Sequence, residues 1–212
     1  MPITARAARS IPGEDEYIDA IERLYYSPNS GKRWNDVDSL DRFLLAYGTV
    51  RTLPPERVRR KKLTKMMQVL PRYMSKIHEL KLEDADLDDS KLRRSAYNLY
   101  SLVNESLRTA RVIHNPTAVG KILHVLQPEL FVIWDNVIRV PRQFGGSFDE
   151  YWRYLKTARD GITEAFTDFK SKDPEATTES IEANLYESRL KPITKLYDEA
   201  CWAMVQGWLH FH

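Results

Sequence analysis

The chain of 212 residues contains a single cysteine, Cys201, and only eight glycines. One cysteine excludes an internal disulfide, a four-cysteine zinc site and an iron–sulfur cluster, and it favours a reducing compartment. Strongly alternating apolar and polar runs bounded by Asn-Gly or Asp-Gly turns are absent, so the main signal for hairpin-built β structure is missing. These absences favour a helical protein.

Long apolar runs are missing as well. No run reaches the length of about 18 apolar residues that indicates a membrane span. Residues 1–10 contain two arginines but no apolar core of signal-peptide length. We therefore expect a cytoplasmic protein without a membrane partner, and a nucleoid or nuclear location is compatible with the same features.

Several motifs that would indicate a metal or a nucleotide are also lacking. The five histidines do not form a metal-binding signature. The chain has no phosphate-binding P-loop, no serine nucleophile elbow and no His-Glu-x-x-His pair, which argues against the enzyme classes built on them. We expect neither a metal nor a cofactor.

What the chain does contain is enough apolar material for a sizeable core, with 42% hydrophobic and 11% aromatic residues. The apolar residues recur at intervals of three and four, which predicts an all-α fold. We expect one helical domain over residues 1–212, arranged as a two-lobed bundle. One lobe would hold about 1–82 plus the C-terminal helix, and the other about 88–190.

The helix boundaries follow from apolar stripes, capping residues and prolines. Asp36 is predicted to cap the second helix, Asp88 or Asp89 the fourth, and Pro71 to kink or divide the third. Helices are predicted at about 14–26, 37–47, 55–80, 90–111, 116–126, 135–143, 148–169, 175–186 and 192–212.

A basic cluster opens the third helix, with six cations in nine residues and no acid among them. Its members are Arg57, Arg59, Arg60, Lys61, Lys62 and Lys65. Cations at this density are typical of a surface that binds nucleic-acid phosphates, because Lys and Arg release counterions from the backbone whatever its sequence. The alternative is a solvated helix face without a partner.

The most informative stretch is residues 115–144. Its first helix carries an apolar stripe formed by Val119, Ile122, Leu123 and Leu126. Lys121 lies nearly opposite that stripe at 100° per residue, so its ammonium is predicted to face away from the core. Asp135 stands between an apolar run and a second stripe, which places a carboxylate at or beside a helix N-terminus, where exposed backbone N–H groups favour its charge.

This arrangement resembles the helix-hairpin-helix DNA glycosylase superfamily. The family carries Gly-Lys at the start of one helix, then Asp at the start of the next, followed by a hydrophobic pair and Arg. Here Val119-Gly120-Lys121 would stand for the end of the hairpin that contacts nucleic acid, and Asp135-Asn136-Val137-Ile138-Arg139-Val140 for the aspartate segment. The resemblance implies that Lys121 attacks the sugar and that Asp135 supports the developing charge or activates the nucleophile.

These residue types suit the implied chemistry. Breaking an N-glycosidic bond leaves cationic character on the sugar, which a fixed carboxylate stabilises. A lysine of lowered pKa can form a Schiff base, and the target base must leave the stack for a pocket that aromatic rings usually line. Besides the catalytic pair, the expected substrate contacts are His124, Trp134, Asn136 and Arg139.

Simpler interpretations stay open beside this one. Lys121 would be a solvated helical lysine, Asp135 a simple N-cap, and the protein a non-enzymatic helical module. Such a module would bind nucleic acid through the basic cluster, or another protein through an apolar groove. If the partner is nucleic acid, DNA is more expected than RNA, and the base recognised and the presence of lyase action stay open.

Overall fold

The structure, a computed structural model, describes residues 14–25, 36–46, 53–175, 177 and 192–205, and within these residues it contains eight helices and no strand. The all-α class predicted from the sequence is therefore confirmed. In chain order the helices are α1 Glu14–Leu24, α2 Val37–Ala46, α3 Glu56–Met74, α4 Ser90–Leu107, α5 Pro116–Leu126, α6 Asn136–Arg139, α7 Phe148–Lys172 and α8 Ile193–Val205.

The predicted caps define two of the helix starts. The side chain of Asp36 accepts a hydrogen bond from the backbone N–H of Ser39 at 3.0 Å, and that of Asp89 accepts one from Lys91 at 2.9 Å. Each carboxylate thereby satisfies a donor that the first helical turn leaves unpaired. The predicted starts of α2 and α4 are confirmed.

Two predictions about helix length are corrected. Pro71 does not divide α3, because the helix continues through it to Met74 before ending short of the predicted residue 80. Proline lacks only its own N–H, so its carbonyl can still accept, and it does so from Ser75 at 3.2 Å. α4 ends at Leu107 instead of 111, because Arg108 turns to an extended conformation.

α5 lies at the centre of the molecule, in contact with α1, α2 and α4. Every residue of α5 from Ala118 to Leu126 is buried, so the helix is enclosed on all sides and not on one face alone. A single hydrophobic core cluster takes at least one buried residue from each of the eight described helices. This core fixes the position of any polar group that α5 carries.

α8 packs against both α6 and α7, which brings the end of the chain next to the segment after α5. Its start at Ile193 agrees with the predicted start at Pro192. The helix predicted at about 175–186 lies outside the described residues. In the part of the chain that the structure describes, no helix has the length and apolar character to cross a membrane.

Candidate active site

Lys121 lies in the interior, with only 5% of its surface exposed. The prediction that its ammonium faces away from the core is wrong. The helical pattern assumes that one face of α5 packs and the other meets solvent, whereas the structure surrounds α5 completely. A cationic group that is enclosed in this way loses its hydration, which disfavours its charged form.

The groups around Lys121 determine how far its pKa departs from the ordinary value of a lysine. Burial lowers the pKa of the amine below its ordinary value. The carboxylates of Asp135 and Asp198 act in the opposite direction, and the ammonium of Lys195 acts with burial. The site therefore contains two amines and two carboxylates in electrostatic contact, and burial has the larger effect on Lys121.

Asp135 occupies the position that the sequence predicts for it. It is the N-cap of α6, where its Oδ1 accepts a hydrogen bond from the backbone N–H of Ile138 at 3.1 Å. This bond orients the carboxylate and holds it half-buried at the end of the apolar run that follows α5. The predicted placement of a carboxylate at a helix start is confirmed.

α8 contributes an ion pair that sequence reasoning missed. Lys195 and Asp198 are buried, and the Lys195 Nζ lies 2.7 Å from Asp198 Oδ2 and 3.4 Å from Glu199 Oε1. Burial raises the pKa of the Asp198 carboxyl above its ordinary value, although Lys195 opposes this and Asp135 adds to it. The only signal in the sequence is a Lys followed three and four residues later by acids, which is also common on solvated helices.

His124 lies on α5, one helical turn after Lys121. Its Nδ1 lies 2.5 Å from the carbonyl oxygen of Phe131, and its Nε2 lies 2.8 Å from the Tyr17 hydroxyl. Because a carbonyl only accepts, Nδ1 carries the hydrogen, and Nε2 accepts from Tyr17. Burial lowers the pKa of His124 to about 3, so the ring is neutral near pH 7.

This arrangement conflicts with the predicted contact between His124 and a substrate. The side chain is completely buried, and both ring nitrogens have partners within the core. The Tyr17 ring stacks on His124 at a centroid distance of 5.5 Å and also lies 5.5 Å below the Lys195 Nζ. His124 therefore connects α5 to Tyr17 of α1, and Tyr17 in turn contacts Lys195 of α8.

Gly120 and Trp134 form a close packing contact and not a hairpin. A Cβ on Gly120 would lie 3.2 Å from both the Cβ and the backbone nitrogen of Trp134, so a glycine permits this approach. The predicted hairpin end at 119–121 is wrong, because α5 runs unbroken through these residues. The Trp134 ring is completely buried against Tyr151 and Tyr154, which conflicts with its predicted contact with a substrate.

Arg139 and Asn136 hold the turn that follows α6. The Arg139 Nη1 donates to the carbonyls of Phe144 at 3.1 Å and Gly145 at 2.6 Å, and its Nη2 donates to Asn136 Oδ1 at 2.7 Å. Thr117 also donates to Asn136 Oδ1, at 3.1 Å, which ties the turn to the start of α5. These contacts are structural, and a substrate contact by either side chain stays a prediction.

The basic cluster separates into two kinds of side chain. Arg59 is 4% exposed and makes a bidentate pair with Asp41, at 2.5 and 3.1 Å, so its predicted contact with phosphate conflicts with its position. Arg60 pairs with Asp38, and the Lys62 Nζ lies 2.5 Å from the carbonyl oxygen of the Arg108 backbone. The cluster members that the structure places on an exposed surface are Arg57, Lys61 and Lys65.

An open groove lies beside this cluster, between the start of α3 and the loop after α4. It has a volume of about 570 Å³ and combines apolar side chains with cations. Val58 and Ile113 are its most exposed apolar residues, at 46% and 55%. Comparison of the chain with protein-family models, with curated proteins and with solved structures found no match.

Proposed function

We propose that the protein cleaves N-glycosidic bonds in nucleic acid, with DNA the expected substrate, and that Lys121 and Asp135 carry the reaction. One observation supports this most directly. A buried amine of lowered pKa lies in electrostatic contact with a carboxylate that a helix start holds in place. Residues 119–121 do not end a hairpin, but the order of Lys121 and Asp135 still resembles that of helix-hairpin-helix DNA glycosylases, which points to the same chemistry.

The lowered pKa is what makes Lys121 a candidate nucleophile. An ordinary lysine is almost fully protonated near pH 7, and an ammonium has no lone pair with which to attack carbon. Burial of Lys121 increases the fraction of neutral amine. At 5% exposure the amine reaches a sugar only if the segments that cover it move. The Asp135 carboxylate then has two uses, since it accepts a proton from the attacking amine and stabilises positive charge on the sugar.

The Lys121 Nζ lone pair forms a bond to the anomeric carbon while the bond from that carbon to the base breaks, and the base leaves with the electron pair. The proton lost from Nζ passes through the Asp135 carboxylate to the departing base. The sugar ring then opens: the nitrogen lone pair forms a double bond to the anomeric carbon, and the ring oxygen leaves with its electron pair and takes a proton from water. The product is a protonated Schiff base, which borohydride reduces to a stable secondary amine by adding hydride.

Borohydride trapping tests this directly. The protein is incubated with labelled duplexes that carry an abasic site, uracil or an oxidised purine, and reductant is then added. We expect a covalent adduct with the wild type, none with Lys121→Gln, and at least about a tenfold slower adduct with Asp135→Asn. Lys170→Gln removes an exposed lysine on α7 and serves as the matched control, with adduct formation unchanged.

Each outcome decides part of the proposal once circular dichroism has shown that every variant is folded. An adduct that persists in Lys121→Gln contradicts the role of that lysine. Base release without any adduct keeps glycosidic cleavage but removes the covalent step. Absence of both, with duplex binding that salt weakens, contradicts the enzyme and favours the binding module instead.

A further inference from the structure

We infer that Lys195 and Asp198 on α8 are a positioning pair that controls the charge of the Lys121 amine. The inference rests on the proposed function for its consequence in catalysis, but the electrostatic effect itself needs no substrate. Neither residue belongs to the segment that carries the family resemblance. Their place in the site depends on the packing of α8 against α6 and on the burial of both side chains.

Two packing contacts bring this pair into the surroundings of Lys121. The Lys195 Nζ lies over the Tyr17 ring, which stacks on His124, one helical turn from Lys121 along α5. On the other side, α8 packs against α6, the helix that Asp135 caps. The pair therefore lies close to the turn of α5 that follows Lys121 and to the helix that Asp135 caps.

Burying an ion pair in a protein core is unfavourable in free energy. Removing two charges from water costs more than their mutual attraction returns unless the geometry is very good, and apolar side chains of similar size often stabilise a core better. At 3% and 6% exposure, Lys195 and Asp198 incur this cost in full. A role other than stabilising the core, namely an electrostatic effect on a neighbouring group, accounts for the burial of these two charges.

The charged and titratable groups around Lys121 come from several elements. Asp135 precedes α6, and α8 supplies the positioning pair together with the half-buried Glu199 that contacts Lys195. The other elements that pack on α5 offer groups with partners of their own. α1 presents Tyr17, bonded to His124; α2 presents Asp41, paired with Arg59; and next to α4 His114 lies 3.4 Å from Asn104.

The two members of the pair act on Lys121 with opposite sign. The Asp198 carboxylate attracts the Lys121 ammonium, and the Lys195 ammonium repels it. Asp198→Asn therefore lowers the pKa of Lys121, whereas Lys195→Met raises it. If the pair were merely structural, both variants would lose stability, and the pKa of Lys121 would have no reason to shift in opposite directions.

The experiment is a pH titration of the protein labelled with ¹³C at the lysine ε carbons, followed by NMR. The Lys121 signal is the one that disappears in Lys121→Gln. We expect its midpoint to move by about half a pH unit or more, down in Asp198→Asn and up in Lys195→Met, which is about a threefold change in neutral amine in each direction. Lys195→Arg keeps the charge and leaves the midpoint unchanged.

An exposed ion pair of the same kind provides the control. Lys172 lies 2.7 Å from Asp168 on α7, with both side chains largely exposed. Asp168→Asn and Lys172→Met should leave the Lys121 midpoint where it is. A shift of equal sign in both buried variants, or no shift in either while the fold is retained, overturns the inference.

Two further measurements keep the result interpretable. If a single variant does not fold, Lys195→Met/Asp198→Leu removes both charges together, and its Lys121 midpoint should fall, because Asp198 is the stronger influence. An unchanged or raised midpoint in this variant overturns the inference. Borohydride trapping across the same pH range should shift in parallel. If the wild type neither forms an adduct nor releases a base, the proposed function fails, while the NMR titration still decides the role of the pair.

Discussion

Two ion pairs have both side chains buried in the part of the chain that the structure describes, and they differ in their surroundings. In the first, Arg59 of α3 meets Asp41 of α2, and the remaining guanidinium nitrogen donates to the Pro54 carbonyl at 3.1 Å. In the second, Lys195 and Asp198 lie next to a further amine and a further carboxylate. The first pair is bidentate and has one more cation, Arg60, at 3.8 Å from the same carboxylate, while the second pair lies among groups whose pKa it affects.

The difference shows why burial alone does not identify a functional charge. A bidentate Arg–carboxylate pair satisfies its donors within a fixed planar geometry, which suits it to joining two helices. A lysine is a point charge, and its field acts on every neighbour that ionises. The first pair therefore joins two helices, and the second pair can adjust the protonation of Lys121.

The largest effect should come from breaking the first pair. Arg59→Met leaves the Asp41 carboxylate buried without its bidentate partner, so the free energy of unfolding should fall by about 3–5 kcal/mol. Urea denaturation followed by circular dichroism measures this. Arg59→Met/Asp41→Leu removes both charges and should recover much of the loss.

The matched control is Arg93→Met, which removes an exposed pair with Asp149, 2.9 Å apart. It should change the free energy of unfolding by less than about 1 kcal/mol. A loss of that small size in Arg59→Met would contradict the structural role assigned to the first pair, and the arginine would return to the list of candidate phosphate contacts.

Sequence alone predicts the helices better than it predicts these pairs. The stripes, Asp36 and Asp89 locate α2 and α4 because capping and burial are local properties of the chain. Arg59 and Lys195 are different, because their partners or neighbours come from other helices. Nothing in a run of basic residues indicates which one meets an acid from another helix.

The error about Lys121 has the same origin. A helical wheel assigns one buried face, which suits a helix at the surface, but α5 is enclosed by neighbours on all sides. Asp135 was predictable because a cap depends on its own helix. Its relation to Lys195 and Asp198 depends on where α8 packs, and no interval along the chain encodes that.

An intermediate effect on stability should come from His124, whose partner Tyr17 contacts Lys195 of the second pair. Its pKa is about 3 in the folded protein and about 6.5 when unfolded, so the unfolded state binds a proton that the folded state does not between these values. The stabilisation by neutral His124 is complete above about pH 6.5 and is lost as the pH falls. At pH 5 the loss is about 2 kcal/mol.

Urea denaturation at pH 7.5, 6 and 5 measures this, with His124→Gln for comparison. The variant should be less stable at pH 7.5, yet the difference from the wild type should narrow as the pH falls. His114→Gln changes an exposed histidine and should keep the slope of the wild type. If His124→Gln and the wild type lose stability in parallel, the neutral state assigned to His124 is contradicted.

The smallest effect on stability should come from the exposed members of the basic cluster. Arg57→Ala, Lys61→Ala and Lys65→Ala each change the free energy of unfolding by no more than about 0.5 kcal/mol, because their side chains lie at the surface. Their effect should appear in nucleic-acid binding. Each substitution should reduce the slope of log affinity against log salt by about one, since each removes one phosphate contact.

Fluorescence anisotropy with a labelled duplex at several salt concentrations measures the slopes, and Lys170→Ala on α7 is the control with an unchanged slope. Read together with trapping, the slopes distinguish two arrangements. If the three variants lower the slope and slow adduct formation only at high salt, the basic cluster guides nucleic acid to the site around Lys121. If adduct forms with unchanged slopes, the substrate reaches Lys121 across another surface, and the exposed cations of α3 are a solvated face.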